Sequence, residues 1–520
     1  NHAFFEDYNN DGFLSDFIKN RTKFSSPPEG KEIRSSYAKK FNNGIYKYMG
    51  KYTEYALGTS ESDVGLDFDL NNKTTYLLTT YKGLISKQWN IQLGLSYSDN
   101  KSNAKITSII PEDLIHYTYN DDNPNNDGDT YVDFSANAND DLLQLRTVLT
   151  RKIFSKSKFK FGLHIFEQFS QFQNYIFEKV STDDGTHSIP NIEKSGLVDF
   201  DELLKTGFIE FDLRVFKKFA LNAGLRYEES DLIDKNSIAP RLSMAYKFNK
   251  NSQTSYAYGQ YFQTPEIGFD QWYRRNNIDF ANHSNIDLEF EKSIHHILNY
   301  EWSKNKKTLR LEVFDKQYDD LITLHPSNAC QSSTEVCQNY LSNQGSGYSK
   351  GFEVFWRYDQ KDNEGVGQDI FMTYSYLDSK RIFKKYIAKE IRPSFASEHK
   401  ITFSYNNTFY LQDEKSRFSS SFALTATSGF PYYDPYAQTQ HVSKPYFSFD
   451  FGGSYLPDIK DGFLVLFFNI SNPLGYRNSF GYEYINIDQS PRLEEREKLP
   501  SSLRTVFVGC FMFFSINKNK

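Results

Sequence analysis

The sequence predicts an all-β chain folded as a transmembrane antiparallel β-barrel, with long loops on one side of the membrane and short turns on the other. Three observations carry this. Apolar residues recur with period two. The connections between strands alternate between short and long. A polar average composition is combined with a high aromatic content.

The composition comes first. The chain has 520 residues, of which 38% are hydrophobic and 17% aromatic, with 47 Phe and 37 Tyr. No run approaches the roughly 18 apolar residues that a membrane-spanning helix needs. A barrel reconciles the two facts. Only every second strand residue must be apolar, loops and lumen are polar, and aromatic girdles line both interfaces. The net charge of -6 argues against a nucleic-acid partner held by phosphate contacts. No nucleophile–base constellation, zinc spacing or phosphate-cradling glycine loop is present, so no enzyme is expected and no cofactor is required.

Alternation is clearest in five segments. Phe219, Leu221, Ala223, Leu225 and Tyr227 share one face and Ala220, Asn222, Gly224 and Arg226 the other. Phe159, Phe161, Leu163 and Ile165 oppose Lys158, Lys160, Gly162 and His164. Leu309, Leu311 and Val313 oppose Thr308, Arg310 and Glu312. Ile91 to Tyr97 and Ile401 to Tyr405 repeat the pattern. A helical period would mix these sets.

Strands are then expected at 88–101, 142–153, 158–175, 202–215, 219–231, 238–248, 253–265, 288–304, 308–324, 347–360, 368–383, 397–410, 417–432, 446–458, 461–475 and 503–516. The connections 154–157, 216–218, 249–252, 305–307, 361–367, 411–416 and 459–460 are short. Those at 102–141, 176–201, 266–287, 325–346, 384–396, 433–445 and 476–502 are long, with 232–237 the brief exception. Short turns inside and long loops outside are the outer-membrane pattern. Residues 1–87 are assigned to N-terminal barrel strands and loops, with strands at 64–70 and 74–85 and one or two more before residue 60. Residues 88–520 form the remainder of the same barrel. About 18 to 20 strands are visible, against 22 in plugged transporters. The first strands and a plug are expected upstream of Asn1 or absent, since no plug is recognised in this chain.

Several stretches resemble TonB-dependent outer-membrane receptors, particularly those of Bacteroidetes-type bacteria. They include Gly224-Leu225-Arg226-Tyr227, Ala239-Pro240-Arg241-Leu242 and Tyr258-Gly259-Gln260-Tyr261-Phe262-Gln263-Thr264-Pro265. Leu288-Glu289-Phe290-Glu291-Lys292-Ser293 is similar to a family strand start, with Phe290 where Pro is usual. Gly351-Phe352-Glu353, Thr373-Tyr374-Ser375-Tyr376-Leu377-Asp378, Thr427-Ser428-Gly429-Phe430-Pro431-Tyr432 and Arg504-Thr505-Val506-Phe507-Val508-Gly509 match later strands. The resemblance runs from about Leu213 to Ser515. It implies a bacterial outer-membrane location. It also implies uptake of a scarce ligand (ferric siderophore, cobalamin or another nutrient), driven by the TonB–ExbB–ExbD system through an upstream plug. A plugless scaffold within a larger complex, with a surface lipoprotein or other partner, is the alternative. A diffusion porin is the third reading.

Candidate sites lie in the loops. Trp272, Tyr273, Arg274 and Arg275 combine aromatic faces with guanidinium groups, which suits anionic or aromatic-rich ligands. Tyr432, Tyr433 and Tyr436 form a second aromatic patch at a loop base, although a plain interfacial girdle would look the same. His283 lies between Phe262-Gln263-Thr264-Pro265 and Asn285 to Leu288, a faint likeness to haem-receptor boxes. Asp7, Asn9, Asp11 and Asp16, and separately Asp121, Asn125, Asp127, Asp129 and Asp133, suit irregular Ca²⁺ loops. Solvated Asx-rich turns are the simpler reading. His295 and His296 fall on opposite faces of one strand, which disfavours a shared metal. Cys330 and Cys337 are expected to form a disulfide that stiffens an outer loop, worth about 2–3 kcal/mol by chain entropy. Cys510 stands alone in an apolar strand. Arg226, Arg241 and Arg310 are expected to face the lumen, since a charge on the lipid face costs about 2–4 kcal/mol near the midplane.

Overall fold

Strands apolar on one face and polar on the other, joined by tight turns, satisfy their backbone through antiparallel ladders. The computed structural model describes residues 23–61, 66–110, 130–154, 156–180, 192–265, 288–325, 340–383, 386–434, 439–459, 462–485, 494–500 and 503–514. The strands run β1 (Lys23–Phe41), β2 (Gly44–Glu61), β3 (Leu66–Leu84), β4 (Trp89–Ile110), β5 (Thr130–Phe154), β6 (Ser157–Val180), β7 (Ile192–Phe216) and β8 (Phe219–Ser230). They continue with β9 (Lys235–Lys247), β10 (Ser252–Gln263), β11 (Glu291–Lys304), β12 (Lys307–His325), β13 (Tyr340–Asp359), β14 (Gly367–Phe383), β15 (Tyr386–Ile391) and β16 (His399–Tyr410). The last are β17 (Arg417–Thr427), β18 (Pro431–Asp434), β19 (Thr439–Val442), β20 (Tyr446–Leu456), β21 (Gly462–Ser471), β22 (Tyr482–Ile485), β23 (Glu494–Glu497) and β24 (Thr505–Phe514).

One sheet of 20 strands holds all but two short hairpins, β18–β19 and β22–β23. β15 is a brief addition to the edge of β14, which pairs along its lower length with β16. Leaving β15 aside, 19 of the 20 strands are consecutive antiparallel staves among the described residues. β1 and β24 both run toward the short-turn side, and no pairing joins them among the described residues. Antiparallel closure therefore takes an odd number of further strands between them.

Exposure separates the two faces. Leu93, Leu95, Leu145, Leu163, Ile165, Ile209, Leu225, Leu298, Leu311 and Val313 are exposed and fall on one side of the sheet by register. This is the lipid face, and Cys510 is also exposed on it. Trp89, Trp302 and Trp356 stand on the same face at the short-turn ends, with Trp302 and Trp356 both paired to Leu309. They form the inner aromatic girdle.

The other face lines the lumen and is polar. Lys160 pairs with Glu210 at 2.7 Å, and Asn222 donates to the same carboxylate at 2.6 Å. Arg226 pairs with Glu228 at 2.6 Å and donates to the Thr206 hydroxyl at 3.3 Å. Ser230, 1% exposed, donates to Glu202 at 2.8 Å. Arg241 lies over the Tyr261 ring at 4.6 Å, and Arg310 pairs with Glu301 at 3.2 Å. The three arginines thus stand where the alternation put them. His295 lies opposite Gly259 and Lys316 on the lumen face, and His296 bonds Tyr256 at 2.8 Å on the outer face. From β14 to β20 this wall changes to small hydroxyls such as Thr373, Ser404, Thr425, Ser421 and Ser448.

The short turns show why they are short. Asn305 and Lys306 both have positive φ, 51° and 63°, which makes the two-residue turn whose twist matches that of antiparallel strands. Asn249 accepts from the Asn251 and Ser252 amides at 2.8 and 3.1 Å. Asp362 accepts from the Glu364 and Val366 amides, each at 2.9 Å. Asp413 accepts from the Ser416 hydroxyl and from the Lys415 and Ser416 amides, the last two at 3.1 and 2.8 Å.

Four expectations are corrected. In the loop expected at 102–141, residues 102–110 and 130–141 are strand, because β4 continues to Ile110 and β5 begins at Thr130. β7 likewise begins at Ile192, well inside the expected 176–201 loop. The separate strands at 64–70 and 74–85 are one strand, β3. The strand expected to reach residue 432 stops at Thr427, and β18 begins a separate hairpin at Pro431. Above the bilayer both faces of a strand can be polar, so the ladder persists where apolar alternation stops. The result is a wall of uneven height, with 25 residues in β5 and β7 against 12 in β8 and 10 in β24.

Two outcomes are expected. Leu163→Arg should destabilise the folded barrel by about 2–4 kcal/mol in urea unfolding from vesicles, while Ser421→Arg on the lumen face costs far less. The Ser416 hydroxyl, then the Lys415 amide, hold the Asp413 carboxyl below its ordinary range. A carboxyl so depressed stabilises above its unfolded pKa, and the effect is lost as pH falls through the folded value. Asp413→Asn should therefore speed hydrogen exchange at the Ser416 amide near neutrality. The difference should fade once pH drops well below about 3.9.

Candidate functional site

Connections β14–β16, β17–β20 and β21–β24 are clamped to one another on the long-loop side. Gly429 starts the middle one. The Ser443 carbonyl presses so close against it that no side chain fits there. Phe430 and Ser443 then bond through both main chain and hydroxyl, with the Phe430 amide donating to Ser443 Oγ at 2.9 Å. That closure opens the β18–β19 hairpin, in which Tyr432 faces His441 with ring centres 5.6 Å apart.

The second hairpin, β22–β23, brings Tyr482 to 4.7 Å from Tyr432. Phe480 sits beneath, 6.1 Å from Phe430 and 5.6 Å from Tyr446. Aromatic pairs at such distances contribute about 0.5–1.5 kcal/mol beyond their burial. Two amides fix the base. Asn472 donates to the Tyr476 and Leu503 carbonyls at 2.8 and 2.7 Å and accepts from the Tyr476 amide at 3.1 Å. Asn478, 4% exposed, accepts from the Phe447 amide at 2.8 Å and returns a bond to its carbonyl at 2.9 Å. From the third connection, the Arg392 amide donates to Gln440 at 2.9 Å, and its guanidinium pairs with Glu398 at 2.9 Å. Ser397 donates to the Ser428 carbonyl at 2.8 Å.

The electrostatics keep the two phenols neutral. Burial, then Glu495, pushes the Tyr432 phenol up. Burial, then Glu497, does the same to Tyr482. Both remain hydrogen-bond donors through neutral pH. The cluster offers ring faces, neutral hydroxyls, the His441 imidazole and nearby Arg477, which lies 3.9 Å from Glu497. Such a set can stack on a planar or polyhydroxylated solute and bond its edge. No proton-transfer or nucleophilic step is set up by it.

Of the residues expected from sequence, Tyr432 enters this cluster. Tyr433 is the next residue on β18, opposite Gln440, and so projects to the hairpin's other face. Asp133 lies within β5 rather than in a loop. Trp272, Tyr273, Arg274, Arg275, His283, Tyr436, Cys330 and Cys337 lie outside the described residues, as do Asp7, Asn9, Asp11, Asp16, Asp121, Asn125, Asp127 and Asp129. Sequence reasoning did not find Tyr482, His441, Phe480 or the two clamping asparagines. The turn Asn472-Pro473-Leu474-Gly475 was a readable sign that the last long connection begins with order.

A family model described as TonB dependent receptor-like, beta-barrel, matches residues 3–472. No curated protein matches the chain. Solved structures do, at low identity. The outer membrane transporter YddB from Escherichia coli is 12% identical with a TM-score of 0.64, over 93% of this chain and 69% of that one. The ferric yersiniabactin uptake receptor FyuA from Yersinia pestis is 12% identical with a TM-score of 0.62, over 95% and 74%. BauA, the ferric preacinetobactin receptor from Acinetobacter baumannii, is 10% identical with a TM-score of 0.62, over 95% and 74%.

If the rings hold the hairpins together, Tyr482→Ala should loosen β18–β19 as well as its own hairpin. Hydrogen exchange of the Tyr432 and His441 amides should quicken about 2- to 10-fold, the equivalent of 0.5–1.5 kcal/mol. Exchange within β16 and β17 should not change.

Proposed function

The chain belongs to the TonB-dependent receptor-like β-barrel family, and from that membership we propose that it captures a scarce nutrient at the cell surface and imports it with TonB-derived energy. It is an outer-membrane protein and a transporter rather than an enzyme. The observation that carries the reading is the clamped aromatic cluster around Tyr432 and Tyr482, set at the outer mouth of a charged, polar lumen. A site already ordered loses little conformational entropy on binding. The ligand class that fits best is a ferric siderophore, whose chelating groups present aromatic or amide edges to ring faces and phenols. FyuA and BauA are receptors for such cargo, ferric yersiniabactin and ferric preacinetobactin. Trp272, Tyr273, Arg274, Arg275 and His283 would add contacts from the neighbouring long loop. The Asp7–Asp16 and Asp121–Asp133 stretches would take Ca²⁺, and the Cys330–Cys337 disulfide would stiffen the rim.

In this mechanism the rim binds, the lumen wall guides, and a plug coupled to TonB, ExbB and ExbD opens the path. Charged pairs such as Arg226–Glu228 and Lys160–Glu210 hold the upstream lumen wall in shape. Uptake of iron-labelled catecholate and hydroxamate chelates by cells carrying the intact receptor tests this. Uptake should stop when the proton gradient is collapsed. Tyr432→Ala combined with Tyr482→Ala should raise half-saturation about tenfold, roughly 1.4 kcal/mol, with the maximal rate nearly kept. Uptake indifferent to the gradient, or a permanently open conductance of the intact protein in planar bilayers, would refute the proposal.

A further inference from the structure

The tall strands β2–β6 carry a second feature, on their outer face. Their lipid-facing apolar band ends at Leu77, Tyr97 and Leu143, all exposed. The next outward row is Thr75, Asp99, Asp141 and Phe169, and above it lysines and amides take over. Lys73, Lys101, Asn139 and Gln171 form one row across four strands. Asn71, Asn103, Asn137 and Gln173 form the next. Together they line an open cavity of about 390 Å³. Phe169 stands one position below Gln171 on the same face and is exposed.

The local charge is balanced. Lys73 pairs with Glu54 at 3.2 Å and Lys101 with Asp99 at 3.1 Å. Phosphate is thus not the main attraction. Hydrogen-bonding capacity is in surplus: Asn139 Oδ1 and Asp99 Oδ1 are buried without a partner. The side-chain amides of Asn103 and Asn137 bond to each other, and both residues are exposed. Two rows above the apolar band of β11–β14 (Leu298, Val313, Phe352 and Tyr376) the outward positions are Ile294, Gln317, Tyr348 and Lys380, with a single amide among them. The amide shelf is a local feature and not a general rim.

Height selects the occupant. At ~3.4 Å per residue and a strand tilt of ~40°, the two rows stand about 10 and 15 Å above the apolar boundary. A phospholipid headgroup layer is only about 5–8 Å deep. A group anchored in the bilayer that reaches both rows must extend well beyond a phosphate ester. We propose that this shelf binds the sugar chain of an outer-leaflet glycolipid. Asn and Gln side chains donate to and accept from its hydroxyls, and Phe169 provides an apolar floor under a ring. The inference rests on the membrane placement of the barrel and is independent of what the receptor imports.

The test uses the purified intact receptor in defined micelles and native mass spectrometry. The probes are lipopolysaccharide carrying its core oligosaccharide and the matching lipid A without sugars. The sugar-bearing form should be retained about tenfold better, and Asn103→Ala with Asn137→Ala should remove that preference while lipid A binding stays. Asn139→Leu, a single change that closes the cavity, serves where the double variant fails to fold. Equal retention of the two lipids, an unchanged preference in the variants, or loss of a co-purifying protein instead of glycolipid would overturn the proposal.

Discussion

Within a bilayer no water reaches the backbone, so each amide on these strands must find a partner on a neighbouring strand. That constraint organises the molecule. It requires an unbroken antiparallel ladder from β1 to β24 and turns that reverse direction without leaving donors behind. Two left-handed residues at Asn305 and Lys306, or one Asn or Asp side chain turned back on its own turn at 249, 362 and 413, meet that need. Among the described residues no pairing joins β1 to β24. Both strands run the same way, and β24 is apolar on both faces, with Phe507 and Phe511 inward and Val506 and Val508 outward.

The staves at bilayer depth were legible because lipid on one side and polar lumen on the other impose period two. Segments 219–227 and 308–313 follow the alternation residue for residue. The same rule fails where its cause ends. Asn100 to Ser108 and Asp133 to Asp141 alternate in nothing but direction, since water bathes both faces above the membrane, and they look like loop. The rim was partly legible. Tyr432 was visible as an aromatic at a loop base. Its partner Tyr482 lies 50 residues away, joined by a tertiary contact that leaves no periodic trace. Asn472 and Asn478 read as turn formers, but only the fold shows that the first ties the two ends of its connection together and the second bonds the main chain of Phe447 on β20.

The two polar surfaces above and within the barrel differ in kind. Inside, from β5 to β13, charge is paired with charge across strands, which stiffens the wall and fixes side-chain positions. From β14 to β20 small hydroxyls become frequent beside Asp369, Lys400 and Asp450. Outside, the amide shelf leaves hydrogen-bonding groups open at a height where sugars and not hydrocarbon are the surroundings. At the mouth, neutral phenols and rings are brought together by clamps that do not themselves face the solute. Rigidity comes from the buried asparagines and the Gly429–Ser443 closure, recognition from the rings they present.

The placement of tryptophan gives the protein an optical signature. Of its four indoles, Trp89, Trp302 and Trp356 look into the lipid near the inner leaflet. Their emission gauges insertion depth and responds to quenchers dissolved in the acyl chains. It is blind to solutes in the channel. Trp272 falls between β10 and β11 and is the fourth indole of this chain. Within this chain a spectral change on adding a water-soluble cargo therefore points to Trp272, and acyl-chain quenchers separate it from the other three without any substitution.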